Sequence, residues 1–232
     1  MPRIVLPEAT LRDVAPDSRW LQHLEFMIPE VPFPQEIVRR RNGTYLANKV
    51  LPVIVPESAA NTIAQHGDSL ESIVYILKSL KEQYSTVFLH QKRPITYLSW
   101  PDDGTKTELR FNVQVEIPGG IIEDGELSKI AASRELMEET GLKRVVASAP
   151  LLPGYIANDA GTHQERYGFW LAICTGSPQT TLEQRAEGIV RAEVIDLPQA
   201  VTHLTSRMSE GYLIEWATLL GHTYLQSLLQ RI

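Results

Sequence analysis

The 232-residue sequence contains a single cysteine, Cys174. No intrachain disulfide is therefore possible, and a reducing, cytoplasmic setting is the expectation. Cys174 closes the apolar run YGFWLAIC and reads as a buried, inert thiol. The chain also lacks any apolar stretch long enough for a signal peptide or a membrane span, and no membrane partner is expected. Basic residues are few: 22 Lys and Arg stand against 28 Asp and Glu, a formal net charge of −6. That balance argues against a protein that coats nucleic acid phosphates, though it leaves room for a small basic pocket. Internal repeats and low-complexity tracts are absent too. What remains is ordinary globular composition, 43% hydrophobic and 22% charged, in a chain long enough to bury a full core.

Residues 1–47 are proline-rich and read as an N-terminal extension, with Asn42-Gly43 suited to a two-residue hairpin turn. The rest, 48–232, reads as the main domain. From about 57 to 85 the pattern is helical: Leu70, Ile73, Val74, Leu77 and Leu80 make one apolar stripe, with Asp68 and Glu71 as a start signal. Strands are expected at 86–94, 109–117, 144–154, 167–174 and about 189–197, and helices at about 198–209 and 211–230. Strands and helices interleave without a regular βαβ rhythm, which predicts a mixed α/β sandwich.

The informative stretch is 119-GGIIEDGELSKIAASRELMEETGL-142. Acidic residues crowd it from Glu123 to Glu139, with only Lys129 and Arg134 in opposition. Pro118-Gly119-Gly120 permits a tight, exposed backbone turn. Helix is expected from Leu127 to Thr140, stopped by Gly141, with Leu127, Ile130, Ala131 and Leu136 able to face a core. On that helix Glu135 and Glu139 share one face, with Glu138 beside them. Like charges at this spacing oppose helix formation, and the macrodipole disfavours anions near the C-terminus. Two readings account for the cluster: a solvated acidic face, or a cradle for a hard divalent cation such as Mg²⁺ or Mn²⁺. Arg134, four residues from Glu138 and eight from Glu126, is placed to orient such ligands.

The stretch resembles the Nudix box. Its pattern is met without departure by Gly120, Glu126, Arg134, Glu135, Leu136, Glu138, Glu139, Gly141 and Leu142. At ~6% usage per residue type, the seven fixed identities would meet by chance on the order of once in a million chains. The resemblance implies an α/β/α sandwich with a mixed sheet, carrying here an N-terminal extension, a helical insertion at about 57–85 and C-terminal helices. It implies a metal-dependent hydrolase that cleaves the pyrophosphate of a nucleoside diphosphate linked to another group. Glu126, Glu135, Glu138, Glu139 and the carbonyl of Gly119 would hold the metal, Mg²⁺ or Mn²⁺, with Glu135 and Arg134 in the catalytic set.

Beyond the box, VEIPGG, FLHQKRP and GTHQERYGFWLA are similar to the ADP-ribose pyrophosphatase branch. That likeness implies Glu165 as base or further metal ligand, with Asp159 as second choice, and Arg93 and Glu116 as substrate-side residues. A nucleoside diphosphate sugar is the substrate class implied, and a homodimer the assembly. His163 reads as an exposed loop histidine rather than an acid or base. Two alternatives stay open: a regulatory domain that binds a nucleotide sugar without turnover, and a hydrolase of dinucleotides or RNA caps.

Overall fold

A computed structural model describes residues 45–67, 69–80, 84–97, 108–157, 165–181, 184–185 and 188–231. The chain divides into two units, one of residues 1–44 and 94–112, the other of residues 45–93 and 113–232. Of the first, the described residues are only the far ends of two strands. The second holds everything that follows.

Its elements run β1 (Tyr45–Ile54), α1 (Glu57–His66), α2 (Leu70–Ser79), β2 (Ser85–Tyr97), β3 (Glu108–Glu116), β4 (Gly119–Ile121), α3 (Ser128–Thr140), β5 (Arg144–Ala157), β6 (Glu165–Thr175) and β7 (Ile189–Asp196). A 3-10 turn at Leu197–Gln199, α4 (Ala200–Ser209), β8 (Leu213–Ile214) and α5 (Trp216–Arg231) complete it. Among the described residues the strands form one mixed sheet in the order β5-β6-β1-β2-β3-β8, with β4 added to β1 and β7 to β2. β1 and β6 pair in parallel over their length, from Tyr45↔Glu165 to Ile54↔Cys174. On its other side β1 forks. Its last residues pair with β2, while Ala47, Asn48 and Lys49 pair with Ile121, Gly120 and Gly119 of β4.

The two-residue alternation of the strands sends apolar side chains to both faces. One face buries Leu51, Val53, Phe88, Leu171 and Ile173 against Ala60 and Ile63 of α1, Ile73, Val74 and Leu77 of α2, Leu204 of α4, and Ala217 and Leu225 of α5. The other buries Val50, Val87, Ala172 and Cys174 against Ala132 and Leu136 of α3 and Leu142 beyond it. The sandwich is thus α/β/α, as expected from the sequence.

Several expectations need correction. The helical stretch 57–85 is two helices, broken at Gly67, whose N–H caps α1 by bonding the Ile63 carbonyl. At α2 the cap is Ser69, whose hydroxyl accepts from the Ser72 N–H at 3.2 Å; Asp68 lies outside the described residues. The last helix begins at Trp216 rather than 211, because Leu213 and Ile214 pair with Gln114 and Val115 of β3. On α3, Leu127 and Ile130 are exposed, not core. Ala131 and Leu136 are buried as expected, and the helix meets the sheet through Ala132 and Leu136, an i,i+4 pair that turns Leu127 and Ile130 away from it. The turn expected at Asn42-Gly43 lies outside the described residues, as do Asp159 and His163.

Candidate active site

β3 ends at the buried Glu116, and Pro118-Gly119-Gly120 turns the chain into β4 beside β1. The Val50 N–H donates to the Pro118 carbonyl at 2.8 Å, tying the turn into the fork of β1. Both glycines are closely approached, Gly119 by backbone and Gly120 by the end of a side chain. A Cβ on Gly119 would sit 2.3 Å from the Asn48 backbone oxygen, and one on Gly120 would sit 2.2 Å from the Glu135 carboxyl carbon. The Gly119 N–H donates to Glu139 Oε2 at 2.8 Å, so the turn and α3 meet through a carboxylate.

α3 is held at both ends. At its start Asn48 Nδ2 donates to the Ser128 carbonyl at 2.7 Å, the Ser128 hydroxyl donates to Asn48 Oδ1 at 2.9 Å, and Trp170 Nε1 donates to the Ser128 oxygen at 3.0 Å. At its end Gly141 takes the left-handed conformation, φ 68°, and bonds the Met137 carbonyl, as its sequence position predicts.

Arg134 is the hub of the acidic stretch. Its Nε and one terminal nitrogen grip both oxygens of Glu126, at 3.0 and 2.9 Å. The other terminal nitrogen reaches Glu135 at 2.8 Å and Glu138 at 3.2 Å. A planar guanidinium with five donors suits this fork, which a lysine could not reproduce. The bond from Arg134 holds the Glu126 carboxyl below the usual carboxylate range, and its own proton is held above the usual arginine range by Glu126 and Glu135.

Glu139 behaves differently. Burial, and then the charge of Glu116, push its pKa up to about 8, only partly offset by the Gly119 N–H and by Lys49. A carboxylate in such surroundings keeps its negative charge only where a positive charge offsets it. Lys49 supplies part of that charge. It is buried on β1, with Nζ 2.6 Å from Glu215 and 3.7 Å from Glu116. Burial disfavours its ammonium, but Glu215 and Glu116 outweigh this and raise its pKa above the ordinary lysine value.

Of the residues singled out from the sequence, Gly119, Glu116, Glu126, Arg134, Glu135, Glu138 and Glu139 are gathered about the turn and α3. Glu165 opens β6, in register with Tyr45, and Arg93 lies within β2; their side chains lie outside what the structure describes. Asn48, Lys49, Ser128 and Glu215 were missed, since single polar residues in an apolar strand or at helix starts carry no spacing signal.

The donor set is one of hard carboxylate and carbonyl oxygens, which fits Mg²⁺ or Mn²⁺ rather than Zn²⁺. Among the described residues no three acidic, histidine or cysteine groups already converge on one point. Arg134 accounts for that, since it draws Glu126, Glu135 and Glu138 to itself. The buried Glu139 beside Glu116 is the observation that fits a cation.

A family model described as the NUDIX domain matches residues 73–217, well over half of the chain. No curated protein matches it.

Proposed function

The chain belongs to the NUDIX domain family, and from that premise we propose that it is a divalent-metal-dependent pyrophosphohydrolase acting on a nucleoside diphosphate sugar, ADP-ribose or a relative. Membership supports hydrolysis of a nucleoside diphosphate derivative. The observation that carries metal dependence is Glu139, buried and bonded to the Gly119 N–H, in surroundings that oppose its negative charge unless a cation offsets it. Glu135, Glu138, Glu139 and the Gly119 carbonyl would hold the cation, with Glu126 as a further ligand. When bound, such an ion neutralises charge developing on the phosphates and lowers the pKa of the attacking water.

The remaining work falls to the chain itself. Arg134 keeps Glu126, Glu135 and Glu138 together at one end of the stretch, and a bound cation would compete with it for their oxygens. Glu165 takes the proton from the attacking water. Arg93 pairs with a substrate phosphate, and Glu116 lines the substrate side. The products are a nucleoside monophosphate and a sugar phosphate.

The sugar assignment rests on the likeness of VEIPGG, FLHQKRP and GTHQERYGFWLA to the ADP-ribose pyrophosphatase branch. It is tested by a panel of nucleoside diphosphate sugars, nucleoside triphosphates and dinucleotides with Mg²⁺, coupled to a phosphatase that reveals monoester products. Turnover confined to the sugars is expected. Turnover confined to dinucleotides or triphosphates would overturn the sugar class, and tight binding without turnover would place the protein among regulatory domains.

A further inference from the structure

Lys49 is a charged side chain in a strand whose neighbours Val50 and Leu51 are fully buried, and it is itself only 5% exposed. Burying an ammonium costs several kcal/mol even after relaxation, so a strand interior is a poor place for one unless its charge is used. Its contacts show what it joins. The aliphatic stem passes beneath the turn, where a Cβ on Gly119 would meet Lys49 Cδ at 2.8 Å. The ammonium then reaches Glu215, 2.6 Å away at the head of α5, and Glu116, 3.7 Å away at the end of β3. It also lies 5.7 Å from the centre of the Tyr167 ring on β6.

Glu215 belongs to a second set of bonds that closes on the same turn. Its N–H donates to the Val115 carbonyl at 3.0 Å. The Thr218 hydroxyl lies 3.3 Å from Glu215 Oε2 and accepts from the Ile117 N–H at 2.8 Å. Residues 115 to 119 are therefore gripped from beneath by Lys49 and from the side by the first turn of α5. No residue of α5 belongs to the acidic stretch, yet Lys49 ties Glu215 at its head to Glu116, just before the glycine turn.

We propose that Lys49 is a positioning residue of the active site. Latched by Glu215, it holds Glu116 and the glycine turn in place, so that the Gly119 amide and the Glu139 carboxylate stay in register. This inference rests on the pyrophosphohydrolase reading above. A buried pair of this kind adds little net stability compared with apolar packing, and its use lies in specifying one geometry. On the reading above, Gly119 and Glu139 would hold the cation at the reacting phosphate, so the loss of Lys49 should lower kcat more than it changes KM.

The test is a double-mutant cycle of Lys49→Met and Glu215→Gln in the full chain, with Lys49→Arg as the conservative variant. The expected result is a fall in kcat of about tenfold or more in each single variant, KM unchanged within about threefold, and no further fall in the double variant. Lys49→Arg should recover most of the rate. Hydrogen exchange without substrate gives a second reading: the Gly119 and Ile121 amides should exchange about tenfold faster in Lys49→Met, with α1 and α2 unchanged. Should Lys49→Met fail to fold, the double variant, which removes both charges, carries the same two measurements. Wild-type kcat and exchange, or losses that simply add, would overturn the proposal. If the wild-type protein turns over nothing on the panel, the hydrolase reading fails, and exchange at the turn still decides whether Lys49 holds it.

Discussion

Replacing Gly119 and Gly120 separately by alanine should have opposite consequences, although the two are adjacent in one turn. At Gly120 the new methyl would meet the Glu135 carboxyl group at 2.2 to 2.4 Å. Ordinary carbon contacts need about 3.5 Å or more, so that carboxylate must retreat by about 1 Å. It is the free end of a flexible side chain, held by Arg134 at 2.8 Å, and it can move. The cost to folding is then one partly exposed charged hydrogen bond, offset by the lower entropy of the unfolded alanine chain, about 1 kcal/mol net. Tm should fall by about 2–4 °C. Activity should suffer far more, since a misplacement of about 1 Å in a reacting site can cost about a hundredfold in rate.

At Gly119 the methyl would strike the Asn48 carbonyl oxygen at 2.3 Å. That atom belongs to the backbone of a strand paired on both sides, and it has nowhere to go. Overpacking of this kind costs about 3 kcal/mol, which lowers Tm by about 6–12 °C in a chain of this size. Thermal melts and kcat measured well below Tm separate the two variants. Equal losses of Tm, or wild-type turnover in Gly120→Ala, would refute the reasoning.

Acid should weaken the fold through His222. Its Nδ1 donates to the Thr218 carbonyl at 2.7 Å, and Nε2 faces the Thr86 hydroxyl at 3.1 Å. Burial holds the pKa at about 4, against the ordinary 6.5, and the Thr218 bond opposes this only in part. The folded state resists the proton that the unfolded chain accepts, so stability is complete above about pH 6.5 and is lost as pH falls towards 4, by about 3 kcal/mol. Urea melts at pH 7 and 4.5 should show this loss, with a smaller one in His222→Gln; equal losses in both would rule His222 out as the source. Cys174, its thiol pushed up to about 12 by burial, should not react with a thiol reagent until the protein is unfolded. Rapid labelling of the native protein would contradict the packing of β6 against α3.

The box was legible because its chemistry needs fixed identities at fixed spacings: Arg134 reaches Glu126 and Glu138 as eight- and four-residue offsets on and before a helix require. Alternating strands and the stripe of α2 were legible for the same reason, since burial imposes a period. What could not be read depends on partners distant in sequence. Nothing near Gly119 announces that β4 pairs with β1, or that Leu213 and Ile214 join β3 and delay the last helix. Leu127 and Ile130 were misplaced because α3 turns Ala131, Ala132 and Leu136 inward, and Leu127 precedes its first turn. Lys49 gains its meaning only from Glu215, 166 residues later.

Glu139 is where the glycine turn and the acidic helix meet: it is buried, bonded to the Gly119 N–H, and its negative charge is opposed by burial and by Glu116. The most direct measurement is Mg²⁺-dependent turnover of ADP-ribose by the wild-type chain and by Glu139→Gln, with melts to show that the variant is folded. Turnover that requires Mg²⁺ and falls by about a thousandfold or more in the folded variant is the predicted result. Turnover that survives either the removal of Mg²⁺ or the loss of the Glu139 charge would contradict a metal-dependent hydrolase built on this carboxylate.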